Sequence, residues 1–202
     1  MPGETQALIV IDLQNDFCPG GALAVAGANE IVPRINALLD AFPIRVLTQD
    51  WHPADHASFA DNHADAEPYT VIEMPYGQQV LWPAHCVQGS HGAALHAGLL
   101  ADRADMILRK GFRAGIDSYS AFYENDRATT TGLAGYLRER GATHLTFAGL
   151  ATDFCVAWSA LDAVRLGFGA TVLTRACRAI DLEGSLADAM DKMRAAGVNL
   201  EP

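Results

Sequence analysis

Three residues of this 202-residue chain suit covalent acyl transfer: Asp12, Lys110 and Cys155. Each stands just beyond a short apolar run that reads as a strand. Cys155 follows a strand-to-helix turn, Gly149-Leu150-Ala151-Thr152-Asp153-Phe154-Cys155. With Thr152 or Asp153 as N-cap, the thiol falls in the first helical turn, where the helix dipole favours thiolate. A lysine ammonium pushes the same way. A carboxylate can take the thiol proton as the sulfur attacks. Free N–H groups at the helix start can hold an oxyanion.

A second set is Asp50-x-His52-x-x-x-His56, with His85 further on. In extended chain, positions 50 and 52 point the same way. Imidazole and carboxylate suit Zn, Mn or Fe(II), and an Asp with two or three His leaves positions open for water or substrate. His63, His91, His96 and His144 fit no ligand spacing. Cys18, Cys86 and Cys177 are widely spaced and read as small buried hydrophobes in a reducing compartment, not as a disulfide framework.

Positioning these residues requires an α/β chain. Strands are expected at 7–11, 44–48, 106–108, 144–148 and 170–174, with a short last one at 198–200. Near-continuous apolar strands belong to parallel sheets covered on both faces. Between them, apolar residues recur at helical spacing. One stripe follows Asn29 as N-cap, and others run from Leu133 to Gly141, Val156 to Gly167 and Leu186 to Gly197. The alternation implies a three-layer α/β/α sandwich with a mainly parallel, doubly wound sheet. In such sheets ligands bind beyond the carboxyl ends of the strands, where these polar side chains fall. One domain over 1–202 is expected, with an irregular metal-site insertion at about 50–105 that holds six of the seven histidines.

Composition narrows the function. Half the residues are apolar, and 24 acidic against 14 basic side chains give a formal charge of -10. That argues against nucleic acid and anionic membrane as partners. No run near the N-terminus reaches the about 20 apolar residues of a membrane span or the about 7–15 of a secretory leader. Residues 1–5 carry no basic stretch, so a cytoplasmic location is expected.

Five blocks, in order, carry a resemblance over nearly the whole chain. They are Ile11 to Gly21 (I-D-L-Q-N-D-F-C-P-G-G), Gln49-Asp50-Trp51-His52-Pro53, Trp82-Pro83-Ala84-His85-Cys86-Val87, Lys110-Gly111 with Asp117-Ser118-Tyr119-Ser120-Ala121-Phe122, and Gly149 to Val156 (G-L-A-T-D-F-C-V). With these the sequence resembles the bacterial nicotinamidase/pyrazinamidases among the isochorismatase-like cysteine hydrolases. The resemblance implies hydrolysis of nicotinamide, and of pyrazinamide, through a cysteine thioester. In it Asp12 is general base and later acid, Cys155 the nucleophile, and Lys110 the group that orients them. The oxyanion would rest on the N–H groups of Ala151 and Cys155, with the Leu150-Ala151 peptide cis. One divalent metal (Zn, Fe or Mn) would be held by Asp50, His52 and His85, with His56 as a further ligand, and would bind the pyridine nitrogen. Phe17 and Trp82 would sandwich the ring, with Tyr119 near. Nicotinamide would be the small-molecule partner, and a homo-oligomer is compatible with this reading. A relative acting on a carbamoyl or ureido amide, or on another carboxamide, is the alternative. The metal-ligand types and the cysteine argue against carbamoyl hydrolases and isochorismatases respectively.

Overall fold

The computed structural model describes residues 5–202. Residues 1–4, which carry no basic side chain, lie outside the described residues. Six strands form the central sheet: β1 (Gln6–Ile11), β2 (Ile44–Asp50), β5 (Met106–Lys110), β6 (His144–Leu150), β7 (Gly169–Arg178) and β8 (Asn199–Glu201). A separate two-stranded hairpin pairs β3 (Val71–Met74) with β4 (Gly77–Val80). The helices are α1 (Val32–Leu39), α2 (Leu133–Glu139), α3 (Ala157–Arg165) and α4 (Ser185–Ala195).

The sheet order is β5-β2-β1-β6-β7-β8, with every neighbouring pair parallel. The chain winds outward from β1 through β2 to β5, then returns to the other side of β1 and winds out again. The reversal between β1 and β6 is the point where such a sheet opens a crevice at its carboxyl end. Helices flank the sheet, giving the expected α/β/α sandwich. The central strands are apolar because both faces are covered: all but the first residue of β1 and of β6 is buried. The edge strand β5 instead alternates, with Leu108 and Lys110 buried and Ile107 exposed.

Two local expectations differ. Asn29 does not cap a helix; it lies inside a 3-10 turn, Ala28–Ile31, that leads into α1, with Pro33 in the first helical turn. The β3–β4 hairpin falls in the stretch 50–105, where no strand is expected. Its strands flank a two-residue turn, Pro75-Tyr76, and pair from Val71↔Val80 to Met74↔Gly77.

Strand β6 needs glycine where it meets the site. Gly149 has φ +120, and a Cβ there would lie 2.1 Å from the Ile11 carbonyl oxygen, its neighbour in β1. Both backbone strain and collision with a fixed main-chain atom oppose any side chain. Gly149→Ala is therefore expected to cost about 3 kcal/mol or more and to lower Tm by roughly 6 °C or more in thermal unfolding. A wild-type Tm would mean that β1 and β6 can part without cost.

Candidate active site

Three adjacent strands, β1, β2 and β5, end close together, β2 and β5 at one level and β1 two residues short of it. Register pairs Asp50 with Lys110 at the last rung. Asp12 follows β1 directly, in the left-handed region at φ 46. Thr48 on β2 fixes it from both sides: the Asp12 N–H donates to Thr48 Oγ1 (3.1 Å), and the Thr48 hydroxyl donates to Asp12 Oδ1 (2.6 Å).

The Lys110 ammonium is the hub. Nζ lies 2.6 Å from Asp50 Oδ1, 2.8 Å from the Ser118 carbonyl, 2.9 Å from Asp12 Oδ2 and 3.4 Å from Cys155 Sγ. Lys110 is 1% exposed and Asp12 fully buried. Burial alone would strip the lysine of its proton, but Asp12 and Asp50 outweigh it and hold the ammonium well above its ordinary pKa. The two carboxylates are driven apart. Burial raises Asp12 to about 6, with Lys110 opposing. For Asp50 the same burial is outweighed by Lys110 and then His52, which hold its pKa well below the usual carboxylate range.

Cys155 occupies a π-helical turn, Thr152–Val156, that precedes α3. Neither Thr152 nor Asp153 caps this turn. Asp153 turns away, accepting from Ile180 N–H (3.1 Å), Asp181 N–H (2.7 Å) and the Ser185 hydroxyl. The preference of the helix start for thiolate is opposed by the thiol's surroundings. Burial pushes the Cys155 thiol well above its ordinary pKa, Lys110 offsets only part, and a hydrogen bond with Asp12 pushes it further up. A neutral thiol facing an ionisable carboxylate is a proton donor beside its acceptor. The Leu150-Ala151 peptide is cis, as the resemblance implies.

Above the thiol opens a cavity. Phe17, Trp82, Tyr119, Phe154, Ala151 and Cys155 line it, and so do Asp50, His52, His85 and Asp117. The Trp82 indole N–H donates to the Tyr119 hydroxyl (3.0 Å), and Phe154 meets the Trp82 ring edge-on at 4.9 Å.

Donor atoms of Asp50, His52 and His85 lie within 4.8 Å of one another, all buried. His52 Nδ1–H donates to the Gly111 carbonyl (2.8 Å), and His85 Nδ1–H to the Pro83 carbonyl (2.8 Å). A carbonyl can only accept, so each neutral ring keeps Nε2 unprotonated and available to a cation. Burial, then the His52 charge, lower His85 to about 4, which keeps it neutral. His52 is raised, because Asp50 outweighs burial. Gly111 makes room for His52: at φ +64, its Cβ would sit 2.4 Å from the imidazole. This donor set fits one divalent metal.

His56 stands apart from that set. Its Nδ1 accepts from the Ser58 hydroxyl (2.7 Å) and Ser58 N–H (3.3 Å), while Nε2–H donates to the Ile116 carbonyl (3.3 Å). Both nitrogens are engaged, and His56 groups with His52 and Asp117 rather than with Asp50.

Several site residues went unread in the sequence. Gln14 clamps Asp50 at both main-chain groups: its amide donates to the Asp50 carbonyl (2.8 Å) and accepts the Asp50 N–H (2.8 Å). Asp16 accepts the Cys86 N–H (2.7 Å), holding the turn after His85. Gln79 on β4 donates to Asp117 (2.8 Å) and to the Tyr119 hydroxyl (3.0 Å). Gln14 and Asp16 lie in the first sequence block, where their polarity beside a buried strand was the available signal. Gln79 lies in the unrecognised hairpin.

A buried cluster of thiol, carboxylates and ammonium at the switch point of a doubly wound parallel sheet, beside an aromatic cavity, suits an amidohydrolase of α/β architecture. The chain belongs to the isochorismatase-domain family, whose model matches residues 6–201. It is 57% identical to the nicotinamidase of Acinetobacter baylyi, over 95% of this chain and 90% of that protein. Its fold matches the Acinetobacter baumannii nicotinamidase/pyrazinamidase at TM-score 0.97 and 54% identity, over 100% of this chain and 97% of the other. It also matches the pyrazinamidase of Pyrococcus horikoshii in complex with zinc, at TM-score 0.78 and 33% identity, over 96% and 97% of the two chains.

The raised thiol pKa gives a direct test. Alkylation of Cys155 by iodoacetamide, followed by mass spectrometry of its peptide, is expected to be slow at neutral pH and to climb steadily above pH 9. A rate already at its plateau at pH 7 would show a resting thiolate instead.

Proposed function

We propose that this protein is a nicotinamidase. It hydrolyses nicotinamide to nicotinate and ammonia through a thioester on Cys155, and acts on pyrazinamide as a close analogue. The observation that carries the reading is the Lys110 ammonium in contact with Asp12, Asp50 and Cys155 at once, at the floor of an aromatic cavity. The names of the relatives support the substrate class.

In this mechanism the thiol proton passes to Asp12 as Sγ bonds the carboxamide carbon. The oxyanion that forms rests on the N–H groups of Ala151 and Cys155. Asp12 then returns the proton to the departing nitrogen, the C–N bond breaks and ammonia leaves. Water attacks the thioester, giving one proton to Asp12. The C–S bond breaks, nicotinate leaves and the thiol is restored. Lys110 keeps Asp12 and Cys155 in contact and balances charge as it moves between them. Phe17, Trp82 and Tyr119 hold the ring and exclude water. Asp50, His52 and His85 would hold one divalent metal, Zn, Fe or Mn, and when bound it would help to fix the ring and draw electron density from the carboxamide. His56, with both nitrogens engaged, supports His52 by packing against it at 4.2 Å between ring centroids.

We read residues 1–202 as one domain, the 50–105 stretch supplying the metal-side wall. The formal charge of -10 supports a small-molecule partner over nucleic acid or anionic membrane. Among the described residues no helix is long and apolar enough to cross a membrane. A cytoplasmic place suits four free cysteines, all buried. A homo-oligomer fits this reading as well as a monomer does.

Ammonia release from nicotinamide by purified protein tests the proposal. Turnover should require both metal and thiol, so chelation should abolish it and Cys155→Ala should lower it by about four orders of magnitude or more. Protonating Asp12 removes the base, so kcat/KM should fall on the acid side with a midpoint of about 6. Failure of metal-loaded protein to release ammonia would overturn the substrate and turn attention to carbamoyl and ureido amides. Turnover that survives chelation would reject the metal's part.

A further inference from the structure

The catalytic pair and the three metal donors leave one carboxylate lining this cavity without a role. Asp117 is 3% exposed and lines the same cavity as Asp50, His52 and His85. Its Oδ1 accepts the Ser118 N–H (2.8 Å) and its Oδ2 the Gln79 amide (2.8 Å). Both partners are neutral, and among the described residues no lysine or arginine pairs with it. A buried carboxylate without a counter-charge is costly, and the fold tolerates one where something else supplies the charge.

Two features point to a cation. The first is geometry: a carboxylate oxygen of Asp117 lies within 4.8 Å of a ring nitrogen of His52, which also groups with Asp50 and His85. Asp117 therefore borders the place that Asp50, His52 and His85 enclose. The second is charge. With the imidazoles neutral, as metal ligands must be, the buried ionic groups around the cavity are three carboxylates, Asp12, Asp50 and Asp117, and one ammonium, Lys110. Lys110 balances a single carboxylate, and two negative charges remain, the complement of a dication with neutral imidazole ligands. Without Asp117, a dication would leave the buried site with an excess positive charge.

We propose that Asp117 is a further protein group of the cation site, supplying the second net negative charge that a divalent metal needs there. This rests on the metal reading of Asp50, His52 and His85. It assigns Gln79 a part as well: the β3–β4 hairpin, through that amide, aims Asp117 and holds Tyr119 in one network.

The test is zinc affinity of the chelator-treated full-length protein, titrated against a competing chelating dye. Asp117→Asn should weaken zinc binding about 10–100-fold. Asp117→Glu restores the charge and should recover most of the loss. Asp50→Asn serves as the reference and should weaken binding at least as much. Wild-type affinity in Asp117→Asn, with affinity lost in Asp50→Asn, would overturn the role of Asp117 and leave the metal site standing. Wild-type affinity in both would remove the metal site itself, and this inference with it. A loss in Asp117→Asn that Asp117→Glu does not recover would show a role in shape and overturn the role in charge.

Discussion

A lysine ammonium sealed from water is the constraint on which the rest of the site depends. Lys110 can keep its charge at 1% exposure only because two carboxylates and a carbonyl surround it. Removing one partner of such a buried pair typically costs about 3–5 kcal/mol, because the other is left uncompensated. The three charged residues come from the ends of β1, β2 and β5, which are neighbours in the sheet. Strand register is therefore tied to chemistry: a slip of one residue would turn Asp50 or Lys110 to the opposite face. The same contacts join two halves of the site. Asp12, Asp50 and Cys155 crowd around the ammonium, their donor atoms within 4.8 Å of one another, and Asp50 also groups with His52 and His85.

Sharing one ammonium does not make the two carboxylates alike. Asp50 faces both Lys110 and His52, and stays ionised at any working pH. Asp12 is fully buried, and its pKa of about 6 suits a group that must accept and release a proton near neutrality. Environments that push paired titratable groups apart are how one site assigns a base and a ligand from the same residue type. The thiol completes the arrangement. It is not activated in advance, since its burial outweighs the lysine. Its proton has a prepared destination, and Lys110 touches both ends of the transfer.

Much of this was legible before any coordinates, because polar residues ending apolar runs are informative in a parallel sheet. Asp12, Asp50, Lys110 and Cys155 stand out that way, and the sheet that carries them follows from the alternation of apolar runs. What escaped reading depended on partners distant in sequence. Asp153 has the side chain of an N-cap, yet its carboxylate is claimed by a loop 27 or more residues away. His56 has ligand spacing from His52, but Ser58 and Ile116 take both of its nitrogens. The state of Cys155 could not be read from its place near a helix start, because burial decides it. Gln79 and Asp117 gain meaning only when the hairpin packs across the cavity.

Whether one ammonium serves both halves of the site is decided by Lys110→Met. Two quantities are measured on that variant: the pH profile of Cys155 alkylation and zinc affinity after chelator treatment. Loss of the positive charge should move the alkylation profile to higher pH. It should also tighten zinc binding, since Asp50 no longer shares its charge. An alkylation profile or a zinc affinity unchanged from wild type would contradict the claim.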